Sequence, residues 1–215
     1  LHPDILAVGT ARSIFGENVK RKIQCFPEDF DDIKAYMFLA CPIVHPSVMM
    51  RRDVFFKYNI RYDEHYRNIE DYKLWYDIMQ IGKIANISEP LLFYRISKEQ
   101  VSTKYKVNQM IGNKIFRREI MSTYLLSKGI NIDERIINWE LIHEISHLKL
   151  QTIDDAKMIA SILFVCCLSV HDNKGLGLIK FLYSLVRTKR FFHCKYIGGI
   201  IIHYLHLKRL DYLSI

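Results

Sequence analysis

Two adjacent carboxylates, Glu70 and Asp71, open the run Glu70-Asp71-Tyr72-Lys73-Leu74-Trp75 and are the groups in this chain best suited to moving a proton. Leu74, Trp75, Ile78 and Ile81 follow at three- and four-residue spacing, which predicts an amphipathic helix starting at the acidic pair. The positive end of the helix dipole stabilises a carboxylate there, so Asp71 is expected to stay ionised at neutral pH. That suits a general base, which must be unprotonated when its substrate arrives. First-turn acids are also common simply because they complement the dipole, so the pair alone leaves both readings open.

A second constellation suggests different chemistry. His143-Glu144-Ile145-Ser146-His147 has H-E-x-x-H spacing. On a helix this sets two imidazoles on one face to hold zinc, with the glutamate as base for a metal-bound water. A zinc hydrolase at His143 and His147 is therefore one alternative. Against it, no third ligand is evident, and both histidines lie opposite the apolar stripe Leu141, Ile145 and Leu148. A solvated or salt-bridged histidine pair is the plainer expectation, and no metal site is assigned to this chain.

The elements that must position these groups divide the chain in two. Residues 1–102 mix short strands and helices, whereas residues 103–215 carry helical periodicity throughout, so the expected class is α/β followed by an α-helical region. Ile5–Thr10 and Arg21–Phe26 read as strands. A helix is expected from Pro27-Glu28-Asp29, carrying Ile33, Tyr36, Met37 and Ala40. Val44–Met50 reads as extended and β-prone, interrupted by Pro46, with His45 held out of the helical region by that proline. Lys83–Ile87 and Leu91–Arg95 read as short strands about a turn at Ser88-Glu89-Pro90. The later helices are expected near 103–127, 133–149, 152–170, 174–187 and 190–209, the apolar Met158–Val170 being too short for a membrane span.

Composition narrows the class further. Half of the residues are hydrophobic and a quarter charged, which excludes a disordered chain. Five scattered cysteines, with no CxxC pair, read as thiols of a reducing compartment, hence the cytoplasm. The chain begins with Leu1 and runs directly into a strand, so it is expected to be the C-terminal portion of a longer protein, with no signal peptide at its visible start.

The net charge is +8, and residues 171–215 hold 8 of the 31 Lys/Arg but only 2 of the 23 Asp/Glu. Within 174–209 the cations interleave with Leu, Ile, Phe and Tyr, a pattern able to lie on an anionic membrane surface. An ordinary helical subdomain with its cations snorkelling outward would show the same pattern. No nucleic-acid motif accompanies the charge.

One ordered set of words goes beyond composition. Cys41-Pro42-Ile43-Val44-His45-Pro46-Ser47-Val48-Met49-Met50-Arg51-Arg52 is followed by Tyr62-Asp63-Glu64-His65-Tyr66, then by the acidic pair and Trp75. Gly82-Lys83-Ile84-Ala85-Asn86, Glu89-Pro90-Leu91-Leu92-Phe93-Tyr94-Arg95 and Gln100-Val101-Ser102 complete it. This set resembles the acceptor-side half of family 2 glycosyltransferases, closely over 41–102 and loosely over 4–102. The resemblance implies a partial GT-A (Rossmann-like) domain in residues 1–102 and a helical extension in 103–215. It implies inverting transfer from a nucleotide-sugar donor to the hydroxyl of a saccharide or lipid-linked acceptor, in cell-surface polysaccharide or glycolipid synthesis.

By the same resemblance Asp71 is the base that takes the acceptor proton, and Glu70 positions the acceptor or braces the helix start. His45 is on the acceptor side by the same resemblance, although a lone histidine also serves as a packed or capping residue. Trp75 walls the site or, as an aromatic at helical spacing, packs in the core, and Arg95 next to Tyr94 either reaches a phosphate oxygen or is a surface arginine. Relatives bind Mn²⁺ or Mg²⁺ through an Asp-x-Asp motif that is expected outside this chain, since Asp29-Phe30-Asp31 reads as helix-capping acid. Ser97 stands where relatives carry the histidine of a Tyr-Arg-x-His pattern, which puts that histidine's metal or diphosphate role in doubt. The chain alone is not expected to turn over, and a non-catalytic membrane- or partner-docking module is the second alternative.

Overall fold

The computed structural model describes residues 2–16, 19–97, 99–133, 135–170 and 181–182. The chain falls into two compact units, residues 1–37 with 41–112, and residues 38–40 with 113–215.

The first unit is built around β1 (Ile5–Gly16), whose near-continuous burial suits a strand covered on both faces. β4 (Lys83–Ile96) runs parallel to it from Ile5↔Lys83 to Gly16↔Ile96. β2 (Val19–Gln24) and the short β3 (Met49–Met50) are antiparallel to β1, at Arg12–Gly16 and at Ala7 and Val8 respectively. Glycine is required at position 9, because a Cβ there would lie 2.6 Å from Asn86 Oδ1 and 2.7 Å from Ile43.

Several elements differ from the sequence expectation. β4 is one strand rather than two about a turn. Thr10 pairs with Ile87 and Ala11 with Pro90, so Ser88 and Glu89 are extra residues absorbed as a bulge. A bulge also tolerates Pro90, which has no N–H to donate. α1 spans Phe30–Tyr36, ending short of Ala40. Asp29 takes its N-cap position but its side chain makes no cap bond, and Asp31 pairs instead with Lys34 at 2.8 Å.

His45 is not in an extended segment but begins a single 3-10 turn, His45–Ser47, with extended Val44 before it. Proline's fixed φ suits the first turn of a helix, and Pro46 is the second residue of this one. The Ser47 hydroxyl secures it, donating to Val44 O at 2.8 Å and accepting from the Thr10 N–H of β1 at 3.0 Å.

α2 (Asp53–Phe56) is a single turn, and α3 (Glu70–Met79) is the helix expected at the acidic pair. It buries Tyr72, Leu74, Trp75 and Ile78 and packs against β4; Ile81 falls past its end and is exposed. Helical structure then resumes as α4 (Val101–Lys104) and α5 (Lys106–Ser127), two helices where one was expected.

In the second unit Gly129, at φ +86°, ends α5. Ile130 N–H donates back to Leu125 O and Gly129 N–H to Leu126 O, the Schellman closure that a left-handed residue permits. α6 (Trp139–Ser146) is shorter than the expected 133–149 because Asn138 caps it, its Oδ1 accepting from Leu141 N–H at 2.9 Å. α7 (Ile153–Val170) starts with Thr152 Oγ1 accepting from Asp155 N–H and buries every residue from Ile159 to Leu168. Among the described residues no helix is long and apolar enough to cross a membrane. The basic segment 174–209 lies outside the described residues except for Phe181 and Leu182.

Candidate active site around Asp71

Asp71, the second residue of α3, is half-buried, and its Oδ1 accepts its neighbour Tyr72's N–H at 2.8 Å. Burial pushes its carboxyl above the ordinary value, against the pull of the Tyr72 N–H and of His45, while Glu70 pushes it further up. The helix start alone suggested the opposite direction. Desolvation outweighs the favourable dipole here, and a base with a raised pKa takes a proton more avidly.

Around Asp71 the structure gathers residues from four segments. One turn along α3, Trp75 is fully buried, and the His45 ring meets its edge at a centroid separation of 5.8 Å and 80°. His45 Nε2 lies 2.9 Å from the Tyr62 hydroxyl, and both side chains are exposed. Partial burial and the charges of Asp71 and Glu70 raise the Tyr62 pKa, which keeps its hydroxyl protonated. Glu70 is exposed at the helix start. The Cys41 thiol is pushed well up by burial and by Asp71, and it donates weakly to Ile43 O at 3.4 Å. The Trp75 indole N–H faces that sulfur but makes no hydrogen bond of ordinary geometry. The result is a half-buried carboxylate near an exposed, hydrogen-bonded His45–Tyr62 pair, with the His45 ring against buried Trp75.

Tyr94 and Arg95 part company. Strand alternation puts them on opposite faces of β4: Tyr94 is half-buried under the Arg12 guanidinium, 4.3 Å from its ring centroid, whereas Arg95 is exposed. Asn86 supports the site from behind, its Nδ2 donating to Pro27 O at 2.7 Å and to Pro42 O at 3.1 Å. At the end of β4, Ser97 N–H donates to Gln100 Oε1 and its carbonyl accepts from Thr103 Oγ1. Two surface cavities, of about 460 Å³ around Ser122 and about 480 Å³ around Phe93, include none of the residues that surround Asp71.

Tyr62, Cys41 and Arg12 are the site neighbours that sequence reasoning did not single out. Tyr62 lies within a motif word already noted, but nothing in its spacing marks it as the partner of His45. Arg12 carries no sequence signal beyond being a charged residue inside an apolar strand.

The H-E-x-x-H residues are arranged differently. The His143 and His147 rings stack at 4.1 Å, His147 Nδ1 lies 2.8 Å from His143 O, and Glu144 is held by Arg135 at 2.7 Å. Among the described residues no three His, Cys, Asp or Glu side chains come together to hold a metal ion. Asp29-Phe30-Asp31 likewise offers no such set, with Asp31 engaged by Lys34.

Three curated proteins bear on what this arrangement serves. An uncharacterized glycosyltransferase of Haemophilus influenzae is 31% identical over 153 residues, 71% of this chain and 45% of that protein. The amylovoran biosynthesis glycosyltransferase AmsE of Erwinia amylovora is 28% identical over 104 residues, 48% of this chain and 38% of its own. The bifunctional glycosyltransferase pgtA of Dictyostelium discoideum is 33% identical over 114 residues, 51% of this chain and 15% of that one. No protein-family model and no solved structure matches the chain. The chain spans less than half the length of the relatives it matches. By sequence, then, it is a homologue of proteins named glycosyltransferases.

Proposed function

We propose that this protein is an inverting glycosyltransferase of family 2, with a GT-A domain, that moves a sugar from a nucleotide-sugar donor to an acceptor hydroxyl. The observation that carries the reading is Asp71: a half-buried carboxylate of raised pKa at a helix start, electrostatically coupled to the exposed, hydrogen-bonded pair His45 and Tyr62. The glycosyltransferase names of its relatives support it independently.

In the proposed step Asp71 accepts the proton of the acceptor O–H. The freed oxygen forms a bond to the anomeric carbon, and the bond to the nucleoside diphosphate breaks, its electron pair leaving with the diphosphate. Attack from the face opposite the leaving group inverts the centre. A neutral alcohol is a poor nucleophile at pH 7, so the base must act within the transition state. His45 and Tyr62 would orient acceptor hydroxyls, Trp75 would fix the wall they bind against, and Glu70 would brace the entrance. Holding both substrates in line contributes through proximity.

The acceptor is proposed to be a saccharide or a lipid-linked saccharide, as the polysaccharide role in the name of AmsE suggests by analogy. A divalent Mn²⁺ or Mg²⁺ belongs to the family reading. The described residues do not form a site for it. The basic segment 174–209 is proposed to meet an anionic membrane on the cytoplasmic side, where a lipid-linked acceptor would lie.

The test is a transfer assay on the natural full-length protein with a panel of nucleotide sugars, comparing wild type with Asp71→Asn. The substitution keeps the acceptor for Tyr72 N–H and removes the base. Transfer that falls about a hundredfold or more, with the fold intact, is the expected result. Transfer at the wild-type rate would reduce Asp71 to a helix-start acid.

A further inference from the structure

Arg12 lies in the middle of β1, half-buried, where a guanidinium is costly to hold. Burial lowers its pKa, and none of the ion pairs among the described residues includes it. It is instead held in one pose. Gln24 Oε1 on the paired strand accepts from both Nε at 3.0 Å and Nη2 at 2.8 Å, and the Tyr94 ring lies against the guanidinium plane. The groups that act on it most are two phenols, Tyr94 and Tyr36, and the thiol of Cys41.

That same thiol faces Asp71. The Cys41 thiol thus feels both the Arg12 guanidinium and the Asp71 carboxylate. Proteins seldom retain a buried, oriented arginine without a counter-anion, because its desolvation goes uncompensated. Fork geometry and aromatic stacking are what favour arginine over lysine for bidentate capture of phosphate.

We propose that Arg12 is a phosphate-binding residue, whose guanidinium takes the oxygens of a phosphate ester or diphosphate. Gln24 and Tyr94 are its positioning residues. In the transfer reaction, on whose reading this role rests, the phosphate comes from one of two sources: the diphosphate of the sugar nucleotide or the diphosphate of a lipid-linked acceptor. Arg95, the arginine that sequence suggested for this task, lies on the other face of the strand.

The experiment is calorimetric titration of inorganic pyrophosphate, in EDTA, into the full-length protein as wild type, Arg12→Lys and Arg12→Gln. Parallel titrations use a nucleoside diphosphate and farnesyl diphosphate. Losing a charge-assisted bidentate contact corresponds to about ten- to a hundredfold in affinity. Arg12→Gln is expected to weaken pyrophosphate by that factor, and Arg12→Lys, which keeps the charge but not the fork, by less. The same loss for the nucleoside diphosphate alone assigns the site to the donor; for farnesyl diphosphate alone, to the acceptor. The proposal is overturned if wild type does not bind pyrophosphate, or if Arg12→Gln binds it within about twofold of wild type. Should Arg12→Gln fail to fold, Arg12→Lys decides, wild-type affinity being the refuting result. Binding needs no turnover, so these outcomes stand apart from the fate of Asp71→Asn in the transfer assay.

Discussion

Replacing Asn86 with alanine removes a side chain that ties β4 to the segments on either side of α1. Its Nδ2 donates to Pro27 O and Pro42 O, and its own N–H donates to Glu28 O. The side chain is buried, and its Oδ1 has no hydrogen-bond partner. Each lost hydrogen bond contributes about 1 kcal/mol net, and stranding two shielded carbonyls adds to that. Removing the unsatisfied Oδ1 gives part of it back, so the balance is about 2–3 kcal/mol of destabilisation. For a chain of this size that corresponds to a fall in Tm of about 5–10 °C. The assay is urea unfolding followed by Trp75 fluorescence in a Trp139→Phe background, which makes the signal local to the first unit. Asn86→Asp separates hydrogen bonding from packing. It keeps the shape but aims a buried acceptor at two carbonyls, so at pH 7 it should be worse than alanine. A cost below about 0.5 kcal/mol for Asn86→Ala, within the range of an ordinary surface change, would refute the reasoning. So would Asn86→Asp proving no worse than alanine.

The other expectations concern separate parts of the molecule. Because burial raises the Asp71 carboxyl, the folded state holds that proton more tightly than the unfolded chain. This contribution is fully present below the unfolded value of about 4 and is lost as pH rises through the folded value. Asp71→Asn should therefore gain stability relative to wild type between pH 3 and pH 7, read from urea midpoints; a relative loss would contradict it. Gly129→Ala should cost about 1 kcal/mol purely through its left-handed backbone, since a Cβ there meets nothing within 4 Å; a neutral thermal melt would argue against that conformation. Trp75→Ala should cost about 3–5 kcal/mol by leaving a cavity beneath His45, measured by chemical denaturation. Cys25 is exposed, whereas burial holds the Cys166 and Cys167 thiols high, the latter pushed up to about 12. A thiol reagent at pH 8 should thus modify Cys25 in the native protein and spare Cys166 and Cys167.

What sequence could reveal was what repeats locally. The spacing of Leu74, Trp75 and Ile78 placed α3 because a helix buries one face at its own period. The start of α7 near 152 is legible locally too, since the Thr152 hydroxyl lies three residues before the Asp155 N–H that it caps. Ser88-Glu89-Pro90 misled because the residues of a turn are also those of a bulge, and only the register with β1 distinguishes them. The direction of the Asp71 pKa was illegible for a deeper reason: the dipole belongs to the helix, but the desolvation belongs to neighbours distant in sequence. Tyr62 next to His45, and Arg12 behind Cys41, are likewise products of tertiary closure. Periodicity has nothing to say about which polar side chains of different elements will meet.

The parallel pairing of β1 with β4 also sets a clock. Ile5 must find Lys83 and Gly16 must find Ile96 before that ladder exists. The intervening chain brings Cys41, His45, Tyr62 and Asp71 with it. Closing so long a loop costs entropy before any contact rewards it, so refolding of this unit should be slow beside that of a helical bundle. Arg12 and Tyr94 hang from the two strands that zip, and the other site residues hang from the loop that zipping closes. Pairing β1 with β4 therefore brings Arg12 next to Tyr94 and closes the loop that carries Cys41, His45, Tyr62 and Asp71, so assembly of the site is tied to a long-range closure.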